Sequence, residues 1–136
     1  INKRDKLEFI ANTILRLDRS NVTVYSSFDG YDEVSSNDKT ECMTVNNSTI
    51  KTFTINPSDF FTPFPMPTIN DNDEAKQLFI EGLQGTNEQI VNILALNTAL
   101  ALKTMGKHDL PEGFKIAKEH LIQGKVYKKL TDICNN

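Results

Sequence analysis

The strongest constraint on the fold is a helical stretch whose apolar residues occupy nearly every face. A helix that is hydrophobic all round is stable in water only when other elements surround it. The sequence therefore predicts that residues Asn87 to Met105 form a helix at the centre of the core. The large aliphatic residues of this stretch are Ile90, Val91, Ile93, Leu94, Leu96, Leu100 and Leu102.

This stretch does not predict a membrane span. The apolar run from Ile90 to Leu102 is interrupted by Asn92 and Asn97. It is also shorter than the roughly 20 apolar residues that cross a bilayer. We therefore expect no membrane association.

Composition restricts the class of protein further. A hydrophobic content of 38% and a charged content of 24% are typical of a soluble chain, and 136 residues can form one domain. The net charge is −3 and the basic residues are scattered, which argues against nucleic-acid binding. Cys42 and Cys134 show neither a CxxC spacing nor a disulfide framework. These features predict a cytoplasmic protein.

The first half of the chain predicts an α/β fold. Apolar residues recur at helical spacing from Asp5 to Leu17, and the β-branched and aromatic run from Val22 to Tyr25 follows. Two further β-rich runs, Lys39 to Val45 and Thr49 to Ile55, are joined by residues that favour a tight turn, Asn46-Asn47-Ser48. We interpret these runs as a β-hairpin that forms an excursion from the α/β body.

The second half predicts helices. Pro57 to Pro67 holds four of the five prolines and three phenylalanines, which indicates a loop held to the domain by its aromatic rings. A helix is expected to begin near Asp71 to Glu74 and to end at Gly85, with Asn87 capping the central helix. Two short C-terminal helices, divided at Gly124, are predicted at Pro111 to Gln123 and Lys125 to Cys134.

An acidic loop follows the first predicted strand. In α/β proteins with parallel sheets, ligands bind at that end of a strand. Asp32 and Glu33 could share one cation only if the backbone turns there, as Gly30 permits. Carboxylates in such a loop suit Mg²⁺. Taken alone, the pattern Asp-Gly-x-Asp-Glu is more often a solvated turn than a metal site.

Several motifs, in the same order, resemble the C-terminal region of the anthranilate phosphoribosyltransferase family. The similarity covers essentially all 136 residues, but His-Gly is common in the family where this chain has Ser26-Ser27, and Leu is common in place of Tyr31. The matching motifs are the loop Asp29 to Ser35, the turn Pro57 to Phe60, Gly85-Thr86-Asn87, the run Leu96 to Leu102, and Gly124-Lys125.

The resemblance implies a fold, an activity and a site. The fold would be the C-terminal part of a large α/β domain, similar to that of the pyrimidine nucleoside phosphorylases. The activity would be transfer of a phosphoribosyl group from phosphoribosyl pyrophosphate to anthranilate in tryptophan biosynthesis, by a homodimer. Asp32 and Glu33 would hold Mg²⁺ against the pyrophosphate. Asp29 and Gly30 would shape the turn, and Ser35 would cap the loop.

Other parts of the family's substrate site do not match this sequence. The glycine-rich phosphoribosyl-binding loop, the Lys-His-Gly-Asn segment, the anthranilate-contacting residues and the N-terminal helical domain of the family all precede the matching region. We therefore expect residues 1–136 to form a single partial domain, a fragment that is inactive alone. Two alternatives stay open: a related enzyme with another acceptor, and a non-catalytic paralogue.

Overall fold

The computed structural model describes residues 1 and 3–135, which form five α-helices and three strands. A short 3₁₀ helix precedes the first α-helix (Arg4–Lys6) and another follows the third strand (Pro57–Asp59). The α-helices and strands are α1 (Leu7–Arg16), β1 (Val22–Ser27), β2 (Thr40–Asn46), β3 (Thr49–Ile55), α2 (Asn72–Gln84), α3 (Glu88–Thr104), α4 (Leu110–Ile122) and α5 (Lys125–Cys134).

The helix and hairpin predictions are confirmed to within a few residues. Asn47 and Ser48 both adopt left-handed backbone conformations, with φ of 46° and 61°, as a two-residue hairpin turn requires. The Asp71 side chain accepts a hydrogen bond from the Glu74 backbone N–H at the start of α2, and Gly85 ends that helix with φ of 75°. Local turn and cap residues therefore set these boundaries.

The hairpin is not an excursion, and the three strands contain no parallel pair. The described strands form one sheet in the order β1-β2-β3, and both neighbouring pairs are antiparallel. The physical reason is that the connection between β1 and β2 contains no helix. A parallel pair needs a crossover of a dozen or more residues, usually a helix, to return to the same end of the sheet.

Helices cover both faces of the sheet. Tyr25, Cys42 and Phe53 lie opposite one another across the three strands and therefore share a face, and all three pack with the helices that follow the sheet. Val24 and Val45 are buried and point to the other face, because side chains alternate along a strand. Helix α1 packs against all three strands and covers this second face.

Helix α3 lies at the centre of the core, as its sequence predicts. It packs most extensively on α4, and a Cβ atom at Gly113 of α4 would lie 3.2 Å from Cα of Ala99. Small residues thus allow the two helices to approach closely. None of the described helices is both long and apolar enough to cross a bilayer. The buried residues of α3 in the main core are Val91, Ala95, Leu96, Ala99 and Leu100.

The aromatic residues hold the proline-rich loop against α4, as predicted. The ring centroids of Phe60 and Phe61 lie 5.2 Å and 6.1 Å from that of Phe114. Phe61 also packs on Phe64, with a centroid separation of 5.5 Å. These distances are typical of favourable aromatic pairs. The loop is therefore held to the helical layer by its side chains.

The two free cysteines should differ in reactivity. Cys42 is fully buried, and burial, followed by the charge of Glu41, raises the pKa of its thiol to about 12. Cys134 is exposed. Because the thiolate is the reactive form, we expect a thiol reagent at mildly alkaline pH to modify Cys134 and leave Cys42 intact until the chain is denatured. Mass spectrometry after proteolysis checks this, and rapid labelling of Cys42 in the native protein would contradict it.

Candidate functional site

The acidic loop begins with a tight turn at the end of β1. The Tyr31 carbonyl oxygen accepts hydrogen bonds from the Ser27 backbone N–H at 3.1 Å and from the Ser27 hydroxyl at 2.9 Å. The Ser27 hydroxyl oxygen in turn accepts one from the Tyr31 N–H at 2.7 Å. Gly30 lies between them with φ of 90°, a backbone conformation that residues other than glycine rarely adopt. The chain therefore reverses direction just before the two candidate ligands.

Ser35 organises the second half of the loop. Its hydroxyl donates to Oδ2 of Asp29 at 2.7 Å and accepts from the backbone N–H groups of Asn37 and Asp38 at 2.9 and 3.1 Å. Its own backbone N–H donates to Oγ1 of Thr40, the first residue of β2, at 3.1 Å. The predicted roles of Asp29 and Gly30 in shaping the turn, and of Ser35 in capping the loop, are therefore confirmed.

Helix α3 anchors the loop through Asn97. The Asn97 side-chain oxygen accepts a hydrogen bond from the Val34 N–H at 3.0 Å, and its amide nitrogen donates to the Val34 carbonyl at 3.3 Å. The same amide group donates to the Ile93 carbonyl within the helix at 3.0 Å. Sequence reasoning assigned Asn97 no role. The available signal was that Asn97 is one of two asparagines that interrupt the apolar run, because an amide drawn into the core needs hydrogen-bond partners.

The proline-rich loop provides a third anchor. The Ser36 hydroxyl donates to the Phe64 carbonyl at 2.9 Å, and the Phe64 N–H donates to the Ser36 carbonyl at 3.1 Å. Ser36 is fully buried, as are Val34 and Ser35. Residues 34–36 are thus fixed by α3, by β2 and by the aromatic loop.

Asp32 and Glu33 lie between the tight turn and these anchored residues. Both are exposed, and the backbone bends at both positions. Among the residues that the structure describes, neither carboxylate has a hydrogen-bond or ion-pair partner. This bend meets the condition under which two adjacent carboxylates can share one cation. The loop therefore presents two solvent-accessible negative charges from a fixed base.

The charges of Asp32 and Glu33 both affect the pKa of Tyr25. Burial raises the pKa of its phenol, and the charges of Glu33, Cys42 and Asp32 raise it further. The side chain of Tyr25 points toward the helical layer that contains α3. Both carboxylates are thus close enough to one phenol to oppose its ionisation. Tyr25 stays protonated at neutral pH and adds no negative charge to the pair.

The donor set fits Mg²⁺ in an open site. No group of three or more described histidine, cysteine, aspartate or glutamate side chains is placed to hold a metal ion. Two carboxylates alone do not form a closed metal site. They do match the preference of Mg²⁺ for one or two carboxylates together with water and phosphate oxygens. The loop is therefore compatible with an ion that brings its remaining ligands with a phosphate compound.

Comparison with known proteins identifies similar sequences. A sequence profile described as the glycosyl transferase family, a/b domain, matches residues 1–127. The anthranilate phosphoribosyltransferase of Vesicomyosocius okutanii is 33% identical over 130 residues, covering 93% of this chain and 38% of that protein. The enzyme of that name from Methanococcus maripaludis is 31% identical over 138 residues, covering 99% of this chain and 42% of that protein.

A third relative gives a similar result. The anthranilate phosphoribosyltransferase of Pyrobaculum arsenaticum is 34% identical over 113 residues, covering 82% of this chain and 33% of that protein. The chain thus spans between 33% and 42% of the length of these three curated relatives.

Removing the Asn97 amide should destabilise the protein. In Asn97→Ala the backbone N–H and C=O of Val34 lose their side-chain partner in a buried region, which we expect to cost about 1–3 kcal/mol of unfolding free energy. Asn12→Ala is the matched control, because Asn12 donates to the backbone of its own helix at an exposed position. Urea denaturation measures both variants. Equal stability of the two would contradict the anchoring role.

Neutralising the two carboxylates should lower the pKa of Tyr25. In Asp32→Asn plus Glu33→Gln, burial still raises this pKa above its ordinary value of 10.0, but the two Coulomb contributions are lost. Near-ultraviolet absorbance of tyrosinate during a pH titration measures the change, with Tyr25→Phe identifying the transition. The adjacent acidic pair on α2 provides the control, Asp73→Asn plus Glu74→Gln, which should leave the transition unchanged.

The same raised pKa predicts a stability change at alkaline pH. The folded state favours the protonated phenol, so the stability that Tyr25 contributes is complete below its unfolded pKa of 10.0 and is lost as the pH rises through the higher folded value. A smaller loss in the Asp32→Asn plus Glu33→Gln variant is expected over that range. An unchanged Tyr25 transition in that variant would show that the carboxylates lie too far from the phenol to affect it.

Proposed function

The chain belongs to the glycosyl transferase family with this a/b domain, and from that membership we propose that its protein transfers a phosphoribosyl group to anthranilate. The donor would be phosphoribosyl pyrophosphate, and the reaction would serve tryptophan biosynthesis. The names of the similar proteins support this choice of substrates. The activity belongs to the whole protein, because the chain spans less than half of those relatives.

One structural observation carries the proposal. The Asp32-Glu33 pair is exposed and has no described partner, whereas the residues on both sides of it are held by specific hydrogen bonds. The anchors from α3, β2 and the aromatic loop hold the backbone that follows the pair. Rigid support beneath a pair of acidic side chains is what a metal ligand set requires, because ligand geometry must be maintained when the ion binds.

The proposed reaction exchanges one bond at the anomeric carbon of ribose. The amine nitrogen of anthranilate bonds to that carbon, the carbon–oxygen bond to pyrophosphate breaks, and the electron pair leaves with pyrophosphate. A proton is lost from the amine. Bound Mg²⁺ would supply positive charge that stabilises the pyrophosphate leaving group.

The residues of this chain would hold that ion and position it. Asp32 and Glu33 would provide its protein oxygen ligands. The turn at Gly30 and the Asn97 amide would keep the two carboxylates in place. Protonated Tyr25 would avoid adding a third negative charge beside them. In this proposal, residues of the protein other than these 136 contact anthranilate and ribose. The 136-residue chain alone would therefore show negligible turnover.

Localisation and assembly are part of the proposal. Both cysteines have free thiols, which is compatible with the reducing cytoplasm. We propose a homodimer and a parent domain similar to that of the pyrimidine nucleoside phosphorylases, on the family resemblance alone.

The test combines activity with an independent measure of metal binding. With the complete protein, Mg²⁺, phosphoribosyl pyrophosphate and anthranilate, we expect anthranilate fluorescence to decrease as it is consumed, and Asp32→Asn plus Glu33→Gln to reduce turnover by at least 100-fold, the order found when a key electrostatic group is removed. Isothermal titration calorimetry should show that Mg²⁺ with pyrophosphate binds the unchanged protein and not this variant.

The control is Asp73→Asn plus Glu74→Gln, which removes the same two charges from a sequence-adjacent acidic pair on α2 and should leave both measurements unchanged. Turnover with another acceptor, and none with anthranilate, would show that the proposed acceptor is wrong. The proposed metal site would then stand. Metal binding without turnover on any acceptor would indicate a non-catalytic paralogue. Unimpaired turnover in the Asp32-Glu33 variant would refute the proposed role of the pair.

A further inference from the structure

The two outer edges of the sheet differ in character. Strand β1 forms one edge; it has no charged residue, and none of its described side chains is exposed. Strand β3 forms the other edge, contains Lys51 and leaves four of its seven side chains exposed. Natural sheets protect free edges with charged residues, because unpaired backbone groups attract further strands. Strand β1 therefore has the composition and burial of an interior strand although it lies at an edge.

The strand register shows which backbone groups of β1 point away from β2. Asn46 and Thr49 flank the two-residue turn and exchange hydrogen bonds with each other. Hydrogen-bonded pairs alternate along antiparallel strands. The residues of β1 that bond to β2 are therefore Val22, Val24 and Ser26. The backbone N–H and C=O groups of Thr23 and Tyr25 point outward, to the free edge.

One of these outward groups has a partner. The N-terminal ammonium group of Ile1 donates a hydrogen bond to the Tyr25 carbonyl at 2.7 Å. The next outward N–H, that of Ser27, donates to the Tyr31 carbonyl inside the acidic loop. Among the described residues, no turn, loop or helix provides a backbone partner for the Thr23 carbonyl or the Tyr25 N–H. Such groups are costly to leave unpaired in a strand whose side chains are buried.

The chain passes from Ile1 to Arg4 in the same direction as β1. The Ile1 nitrogen bonds to Tyr25, and the Arg4 guanidinium carbon lies 3.9 Å from the centroid of the Phe28 ring, beyond the end of the strand. Helix α1 then packs on the sheet and leads back to the start of β1. A helix in this position is the usual crossover between two parallel strands.

We propose that, in the complete protein, a further strand pairs in parallel with the outer edge of β1 and joins directly to Ile1. The residue two positions before Ile1 would donate to the Thr23 carbonyl and accept from the Tyr25 N–H, the spacing of a parallel ladder. The Ile1 nitrogen would form the last bond of that ladder, as it does here.

The partner strand belongs to the same protein. The chain spans only 33% to 42% of the length of three similar proteins, so proteins of this kind have enough further residues to supply a strand. A strand from a second copy would have to displace Ile1 from Tyr25. The parallel arrangement also places the carboxyl ends of both strands at one edge of the sheet, beside the acidic loop, which is where ligands bind in parallel sheets.

The test is amide hydrogen exchange in the complete protein, resolved by residue with nuclear magnetic resonance. We expect the Tyr25 amide to exchange at least about 100-fold more slowly than that of Thr52, because paired sheet amides exchange only when the structure opens. Thr52 is the matched control, since its N–H points to the outer edge of β3. The Tyr25 rate should resemble that of Val24, whose N–H bonds to β2, and should not change on dilution.

Proline substitutions provide a second measurement. Proline is tolerated at an outward position of an edge strand but not inside a sheet. In the complete protein, Thr23→Pro should therefore lower the melting temperature well below that of Thr23→Val, whereas Thr52→Pro and Thr52→Val should differ little. The valine variants are needed because the Thr23 hydroxyl also bonds to the hydroxyls of Thr44 and Thr104.

Three outcomes would overturn the inference. A Tyr25 amide that exchanges as fast as Thr52 would show that the edge is free. Protection that falls on dilution would identify a second copy as the partner. A scalar coupling across the hydrogen bond from the Tyr25 N–H to a carbonyl other than that of the residue two positions before Ile1 would exclude the proposed pairing. Because these measurements use neither Mg²⁺ nor substrate, this inference and the proposed function can fail separately.

Discussion

The hydrogen bonds between the Asn97 amide and the backbone of Val34 connect the two halves of this molecule. Val34 belongs to the loop that follows the first strand, and Asn97 lies in the middle of the central helix. The amide satisfies both backbone groups of a buried residue, so the loop can enter the core without leaving polar groups unpaired. The position of the acidic pair next to Val34 depends on this arrangement.

The loop shows how a rigid base can carry exposed charge. Ser35 and Ser36 are buried and use their hydroxyls to bond neighbouring backbone and side-chain groups. Asp32 and Glu33 stay in solvent, where water lowers the cost of placing two like charges side by side. A divalent ion would remove the remaining repulsion between them. In the proposed function, this loop would receive a phosphate compound that arrives with its metal ion.

Much of the fold could be predicted from the sequence because its determinants are local. Helical periodicity predicted α3 as the core helix, and the turn and cap residues Asn47, Asp71 and Gly85 predicted element boundaries. The hairpin was predicted to be an excursion from the α/β body, whereas it pairs with β1 in one antiparallel sheet. Pairing depends on which strands meet in space, and a connection without a helix favours antiparallel neighbours.

The sequence by itself determined the helices, the hairpin turn, the family and the candidate pair Asp32 and Glu33, whose role as metal ligands stays a prediction. Only the tertiary structure decided which residues support that pair, because Val34 and Asn97 are 63 positions apart and meet through packing of the helical layer on the sheet. It also decided that the buried Ser26 hydroxyl has no hydrogen-bond partner among the described residues. Hydrogen-bond satisfaction is a property of groups brought together in space, and local sequence patterns do not encode it.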